Sequence, residues 1–350
     1  MITKKIFLSL VMVAFCVVAA AQVSIYKDGQ LVLFLDIKPD SVVFDNQNIG
    51  GVDNTLKGNV PEGAIAGRFS VEEGRYVTFS RGNLQFQAST GIWRFAERQI
   101  DVVGNGNLNA SSTYNGWIDL FPRGTSGWYS GANCYNPWQR TYSYWDYWFG
   151  GERTAESTGH NHFVNLDNLW GEYANADWGI YNAIQNGGNK AGKWRTLTNN
   201  EWIYLMYNRP NASHLIAHAI VDGVCGLILL PDDWRGVADV KLKFTIDLNS
   251  DSDQPWIPII DHSVNYYKLN ELSIAQFAIL QVKGAVFLPA AGSANATIYN
   301  GANYEGNYWS STANSESHAY GMRFSPYRFK PNSNYCRTEA LSVRLVQDVK

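Results

Sequence analysis

The sequence predicts a mixed α+β fold built from short strands, few helices and long polar loops. Two observations carry this. Gly284–Pro289 and Leu341–Val346 are hydrophobic strands framing a segment crowded with Tyr, Asn, Ser and Gly. Thr198–Glu201 and Ser273–Gln276 are capping boxes, the signature of helix starts.

The chain opens on a leader. Lys4 and Lys5 form a basic region, Ile6–Val18 is apolar, and Ala19–Ala21 supplies small residues for cleavage before Gln22. The apolar run is too short for a membrane span, and no other transmembrane stretch follows. Phe15 is too bulky for a lipid-attachment motif at Cys16. Residues 1–21 are therefore expected to be a secretory signal peptide, with the mature chain in the periplasm, on the outer surface or outside the cell.

Residues 22–45 read as a short β module. Ser24–Tyr26 and Leu31–Phe34 flank an Asp28-Gly29 hairpin signal, and Lys38-Pro-Asp40 turns into Ser41–Phe44. Residues 46–67, rich in Asn, Gly and Pro, read as a linker. The main domain is then 68–350. Tyr76–Phe79, Arg81–Phe86 and Ile92–Phe95 are its first strands, with a turn at Ser89–Gly91.

From Asn105 to Gly151 regular patterning disappears and Trp117, Trp128, Trp138, Tyr142, Tyr144, Trp145, Tyr147 and Trp148 crowd together. Such rings serve either as the core of a loop-built region or as platforms for sugar rings; the core use is the commoner one. Asp177–Ile184 reads as a first helix or a short part of one. After the Thr198 cap, Trp202, Leu205 and Met206 share one helix face. Val224–Leu230 is a buried strand that takes Cys225 into the core. The Ser273 box precedes Phe277–Leu280 and feeds the Gly284 strand.

The last third reads as a display surface. Ala291–Asn307 has neither strand nor helix periodicity. Ala319–Phe324 alternates, setting Tyr320 and Met322 against Arg323, and Tyr327–Arg337 reads as another pair of loops. Tyr gives large, stiff contact area, and Asn, Ser and Gly give adaptable hydrogen bonding. The expected ligand-binding residues are Tyr299, Asn303, Tyr304, Tyr308, Trp309, Tyr320, Arg323, Tyr327, Arg328, Asn332, Asn334, Tyr335 and Arg337.

These motifs carry a resemblance. Phe79–Gln85, Trp93–Ala96, Gly116–Phe121, Phe287–Gly292, Tyr308–Thr312 and Ser342–Val346 resemble, in this order, the FISUMP-type paralogous family of secreted proteins from anaerobic Gram-negative bacteria. The likeness runs from about Arg68 to Val349. It implies a C-type-lectin-like domain, in the variant shared with formylglycine-generating enzymes. That variant has a small twisted antiparallel sheet, two or more helices, extensive loops, and a ligand surface between the last strands. Thr196–Glu201 is similar to the stretch that starts a structural helix in the formylglycine-generating relatives, without their proline.

Composition and motifs narrow the function. A net charge of −3 over 350 residues, 17% of them charged, argues against a nucleic-acid partner. Beyond Cys16, the cysteines Cys134, Cys225 and Cys336 lack zinc spacing and allow at most one intrachain disulfide. Asp247–Asp253 resembles the start of a calcium loop but has Ser252 where Gly is needed and Pro258 where a bidentate Glu belongs. His214 and His218 have zinc-helix spacing without the accompanying Glu. The calcium tripeptides of sugar-binding C-type lectins are absent, with Trp309–Thr312 where one would stand. The oxidase chemistry of the resembling enzymes needs two nearby thiolates, and Cys336 is alone in its region. The expectation is a non-catalytic module without cofactor or metal, binding a protein or glycan at the cell surface. Sugar binding by the Trp128–Trp148 cluster is the second reading, and the oxidase the third.

Overall fold

The structure, a computed structural model, describes residues 21–27, 30–38, 41–44, 60–149, 167–244 and 264–349, the first three segments as backbone only. The chain divides into two compact units, Met1–Asn54 and Thr55–Lys350. The leader, apart from Ala21, and the acidic run Asp247–Asp253 lie outside the described residues.

The first unit is an antiparallel meander of β1 (Ala21–Lys27), β2 (Gln30–Lys38) and β3 (Ser41–Phe44), with Val23 opposite Leu35 and Ile37 opposite Val42.

The second unit is mixed α+β, mostly sheet with few helices, and its largest sheet curls into a half-barrel. It starts before Arg68. The Ile65 N–H donates to the Phe79 carbonyl at 2.8 Å and its side chain joins the core, so the end of the expected linker belongs to this unit. Next come β4 (Phe69–Glu72), β5 (Arg75–Phe79), β6 (Leu84–Gln87), β7 (Ile92–Phe95), β8 (Trp117–Ile118) and β9 (Leu120–Phe121). The first helix, α1 (Trp178–Tyr181), is shorter than the sequence pattern. Asn182 leaves helical geometry, and its amide donates to the Ser126 and Trp178 carbonyls.

β10 (Arg195–Thr196) leads into α2 (Asn199–Ile203). Its capping box forms as read: the Glu201 N–H donates to Thr198 Oγ1 at 3.1 Å, and the Thr198 N–H to Glu201 Oε2 at 2.8 Å. Trp202, Leu205 and Met206 are buried together. β11 (Ile216–Val221), β12 (Val224–Leu229) and β13 (Glu271–Leu272) precede α3 (Ile274–Val282), which starts at the Ser273–Gln276 box. Then come β14 (Val286–Pro289), β15 (Ser293–Asn295), β16 (Ile298–Asn300), β17 (Gly306–Ala313), β18 (His318–Ser325), β19 (Arg328–Cys336), β20 (Glu339–Ser342) and β21 (Leu345–Val349).

The curled sheet has the order β16-β15-β20-β17-β18-β19, with β9 on β20; two four-stranded sheets run β10-β21-β5-β4 and β13-β11-β12-β14. Alternation on β12 and β14 explains the layering. Leu227, Leu229, Val286 and Leu288 face a cluster with Trp202 and Phe79, while Ile228 and Phe287 face Phe277 and Leu280 of α3. β17 divides two cores in the same way, Tyr308 entering the Trp202 cluster and Trp309 a second one with Trp93, Trp178 and Trp194. Met322 and Phe324 lie with Tyr308, and Ala319 with Trp309, so the alternation read on this strand holds.

Three local readings are corrected. Leu341–Val346 is two strands in different sheets. Between them Arg344 turns inward, donating to Gln99 Oε1 at 2.6 Å and the Phe287 carbonyl at 3.3 Å. The loop pair at Tyr327–Arg337 is largely one strand, β19, whose odd-numbered residues from Phe329 to Tyr335 are buried. Ala291–Asn307 holds the edge hairpin β15–β16.

Candidate functional site

The expected surface separates into a buried set, a partly exposed patch and four residues lying elsewhere. Tyr308, Trp309, Tyr335 and Arg337 are core side chains, all under a tenth exposed. Apart from Arg337 Nε, their polar atoms are met internally, which is why polar-tipped residues are tolerated there. Tyr308 Oη donates to the Pro289 carbonyl at 2.9 Å, Trp309 Nε1 to the Phe121 carbonyl at 2.7 Å, and Tyr335 Oη to Asn307 Oδ1 at 2.6 Å. Arg337 pairs with buried Asp167. These four scaffold the sheet and are removed from the ligand surface.

Asn303, Tyr304, Arg323, Tyr327 and Arg328 come together around the loop before β17 and the turn between β18 and β19. The loop is held at both ends. Gly292 has φ +73°, and a Cβ there would stand 2.1 Å from the Asn300 carbonyl oxygen, so only glycine fits. Asn303 adopts φ +57°; its N–H donates to the Ala290 carbonyl at 2.8 Å, and its side chain accepts from the Cys225 N–H at 2.6 Å and donates to the Gly223 carbonyl at 3.1 Å. Tyr267 Oη donates to the Tyr304 carbonyl at 3.0 Å. The Tyr304 side chain is left outward, 43% exposed, with its ring edge-on to Tyr327 at 6.3 Å between centroids. Glu305 pairs with Arg323. The Tyr304 phenol is raised above its usual range by desolvation, then by Tyr327 and Glu305, with Arg328 opposing. The patch is thus aromatic, with one paired charge and the Arg328 cation beside it.

The remaining expected residues sit elsewhere. Tyr320 pairs with exposed Asn334 toward the far end of the β18–β19 hairpin, and Asn332 is half-buried in β19. Tyr299 bends inward, its hydroxyl donating to the Ala291 carbonyl at 2.9 Å. Residues not expected at the patch are Glu305 and the Tyr266-Tyr267 pair, whose Tyr266 N–H donates to the Pro326 carbonyl at 3.1 Å. The Glu305 position inside the Tyr-rich loop was the signal available for it.

The Trp128–Trp148 region mixes buried and exposed aromatic rings. Tyr147 is fully buried; Trp138 stacks on Phe86 at 5.9 Å and, with Trp128, packs on the second core. Tyr129 and Tyr142 face solvent. His214 ends a one-turn 3-10 helix and His218 is a buried strand residue hydrogen-bonded through Nε2 to the Ser325 carbonyl at 3.0 Å, so the zinc-helix spacing does not fall on one α-helix. Cys134, Cys225 and Cys336 are unpaired thiols, and Cys225 is buried as expected. Among the described residues no group of three His, Cys, Asp or Glu side chains could hold a metal ion, and no helix is long and apolar enough to cross a membrane.

A family described as a domain of unknown function (DUF8237) matches residues 265–346. The match spans α3, every strand of the curled sheet except β9, and the patch. No curated protein and no solved structure matches the chain.

Proposed function

We propose that the chain is a non-catalytic ligand-binding module, exported through its leader and working at or beyond the cell surface. The Tyr304–Tyr327 patch is its contact surface, and the ligand is a protein or a glycan. The fold is a C-type-lectin-like variant, a reading supported by the motif order along the chain and compatible with a curled sheet framed by short helices.

One observation carries the proposal: an exposed tyrosine on an immobilised loop. Tyr304 has backbone contacts to Tyr267 and Gly301, and its neighbour Asn303 is bound to two separate chain segments, at Ala290 and at Gly223–Cys225. A rigid aromatic that is already ordered loses little entropy on binding, which is what interface anchors need. The test is to replace Tyr304 and Tyr327 together by Ala and to screen both chains against a glycan array and immobilised bacterial surface proteins. Hits lost in a variant with nearly unchanged melting support the module. A binding profile left wholly unchanged by the double substitution refutes the assigned surface.

A further inference from the structure

A second, unassigned site lies in the same unit, in a cleft of about 600 Å³ that shares no residue with the Tyr304 patch. That volume is in the range of small-molecule sites, roughly 300–1,000 Å³. We propose that this cleft binds an uncharged saccharide, with the face of Trp170 as its stacking platform.

The charges in the cleft are already spoken for. Arg195 donates to Glu201 and Asp348, and Arg75 to Glu72 and Glu201. Two guanidinium groups therefore meet three carboxylates, and among the described residues of the cleft no unpaired cation is offered to an anionic ligand. What remains for a ligand among the described residues is apolar surface, the Tyr204 side chain and two side-chain amides. Leu169 and Val71 are buried lining residues. The exposed side-chain amides of Asn200 and Asn208 bond to no described residue. The Trp170 ring is 43% exposed. An aromatic face beside free amides suits a ring with an apolar CH face and a periphery of hydroxyls. It does not suit a phosphate or a carboxylate.

Trp170 is also held in place. Just before it, Asp167 takes the Arg337 ion pair, Asn168 Oδ1 accepts the Ala313 N–H at 2.8 Å, and the Leu169 N–H donates to the Ser311 carbonyl at 2.8 Å. Three successive residues are fastened to the scaffold, and the next presents a large apolar ring to water. Exposing that ring forgoes burial energy, and fixing it removes the adaptability that would otherwise hide it.

The experiment is isothermal titration of the full chain with uncharged probes (cellotriose, maltotriose, chitotriose and N-acetyllactosamine) and, separately, with sialyllactose and a heparin hexasaccharide. The expected result is saturable binding of at least one uncharged probe, little changed between 0.05 and 0.5 M salt because no ion pair is involved. Trp170→Ala should weaken it about tenfold or more, as for a central aromatic anchor. Trp170→Phe should retain part of it, and Asn208→Ala should weaken it with melting unaltered. No uncharged probe binding, binding indifferent to Trp170→Ala and Asn208→Ala, or binding confined to the anionic probes would each overturn the assignment.

Discussion

Arg337 and Asp167 form a two-pronged ion pair with neither side chain exposed to solvent, across 170 residues of sequence. It fastens the segment leading to Trp170 onto the end of β19. Removing one partner strands the other charge in a dry interior. Arg337→Ala should therefore lower the unfolding free energy by about 3–5 kcal/mol, measured by urea denaturation. A loss within the range of a surface substitution, about 0.5 kcal/mol, would show the pair to be solvated.

Gly67 and Gly284 touch backbone to backbone. A Cβ on Gly67 would lie 2.4 Å from the Gly284 carbonyl oxygen and 2.8 Å from the Phe69 ring. Neither the β14 approach nor the buried Phe69 can yield cheaply. Gly67→Ala should cost about 1–3 kcal/mol in the same assay, whereas Gly74→Ala, in open space but at φ +74°, should cost only its local backbone strain.

Two buried groups oppose each other in their response to pH. Burial lowers the His218 imidazole from its ordinary 6.5 to about 4. Its contribution is complete above pH 6.5 and is lost as pH falls through 4, because the unfolded chain then binds the proton the fold refuses. Burial raises the Asp119 carboxyl from 3.8 to about 6, against hydrogen bonds from Asn107 and Val103. Its contribution is complete below pH 3.8 and is lost as pH rises through 6. Asp119→Asn removes the second limb only. The stability of the variant relative to wild type should then rise by on the order of 2 kcal/mol between pH 4 and 6. Chemical denaturation at both pH values checks this, and a constant difference would contradict the burial-driven shift.

The Tyr304 and Tyr327 rings differ from the core tyrosines in what their loss should do. Truncating both should shift melting by no more than about 2 °C, the size expected of a surface change in a chain of this length. Tyr308→Ala, by contrast, opens a cavity beside Trp202 and Phe324 and should cost about 3–5 kcal/mol. Differential scanning calorimetry of the two variants separates the roles.

The helix starts were legible because a capping box is local: Thr198 and Glu201, and Ser273 and Gln276, need only each other. The Trp202, Leu205 and Met206 stripe was legible for the same reason. The buried part of the expected surface was not. Tyr308, Trp309 and Tyr335 look like display residues in a sequence of Asn and Ser. Their burial depends on acceptors at Pro289, Phe121 and Asn307, which no periodicity announces. β19 escaped detection because Pro331, Ser333 and Cys336 blur its alternation, leaving Phe329 and Tyr335 as its apolar marks. Arg344 hid a strand break because an arginine inside Leu341–Val346 looks like an outward residue, when here it points to Gln99. The exposure of Asn303 and Tyr304 was legible, since polar, aromatic loops without aliphatic residues have little to bury.

The most direct test of the account is a single screen of three full chains on one glycan and surface-protein array: wild type, Tyr304→Ala with Tyr327→Ala, and Trp170→Ala. The account predicts wild-type hits that vanish in the tyrosine double variant while both variants remain folded. Any neutral-glycan hits lost in Trp170→Ala should persist in the double variant. A wild-type binding profile reproduced unchanged by the double variant would contradict the claim that this patch is the working surface.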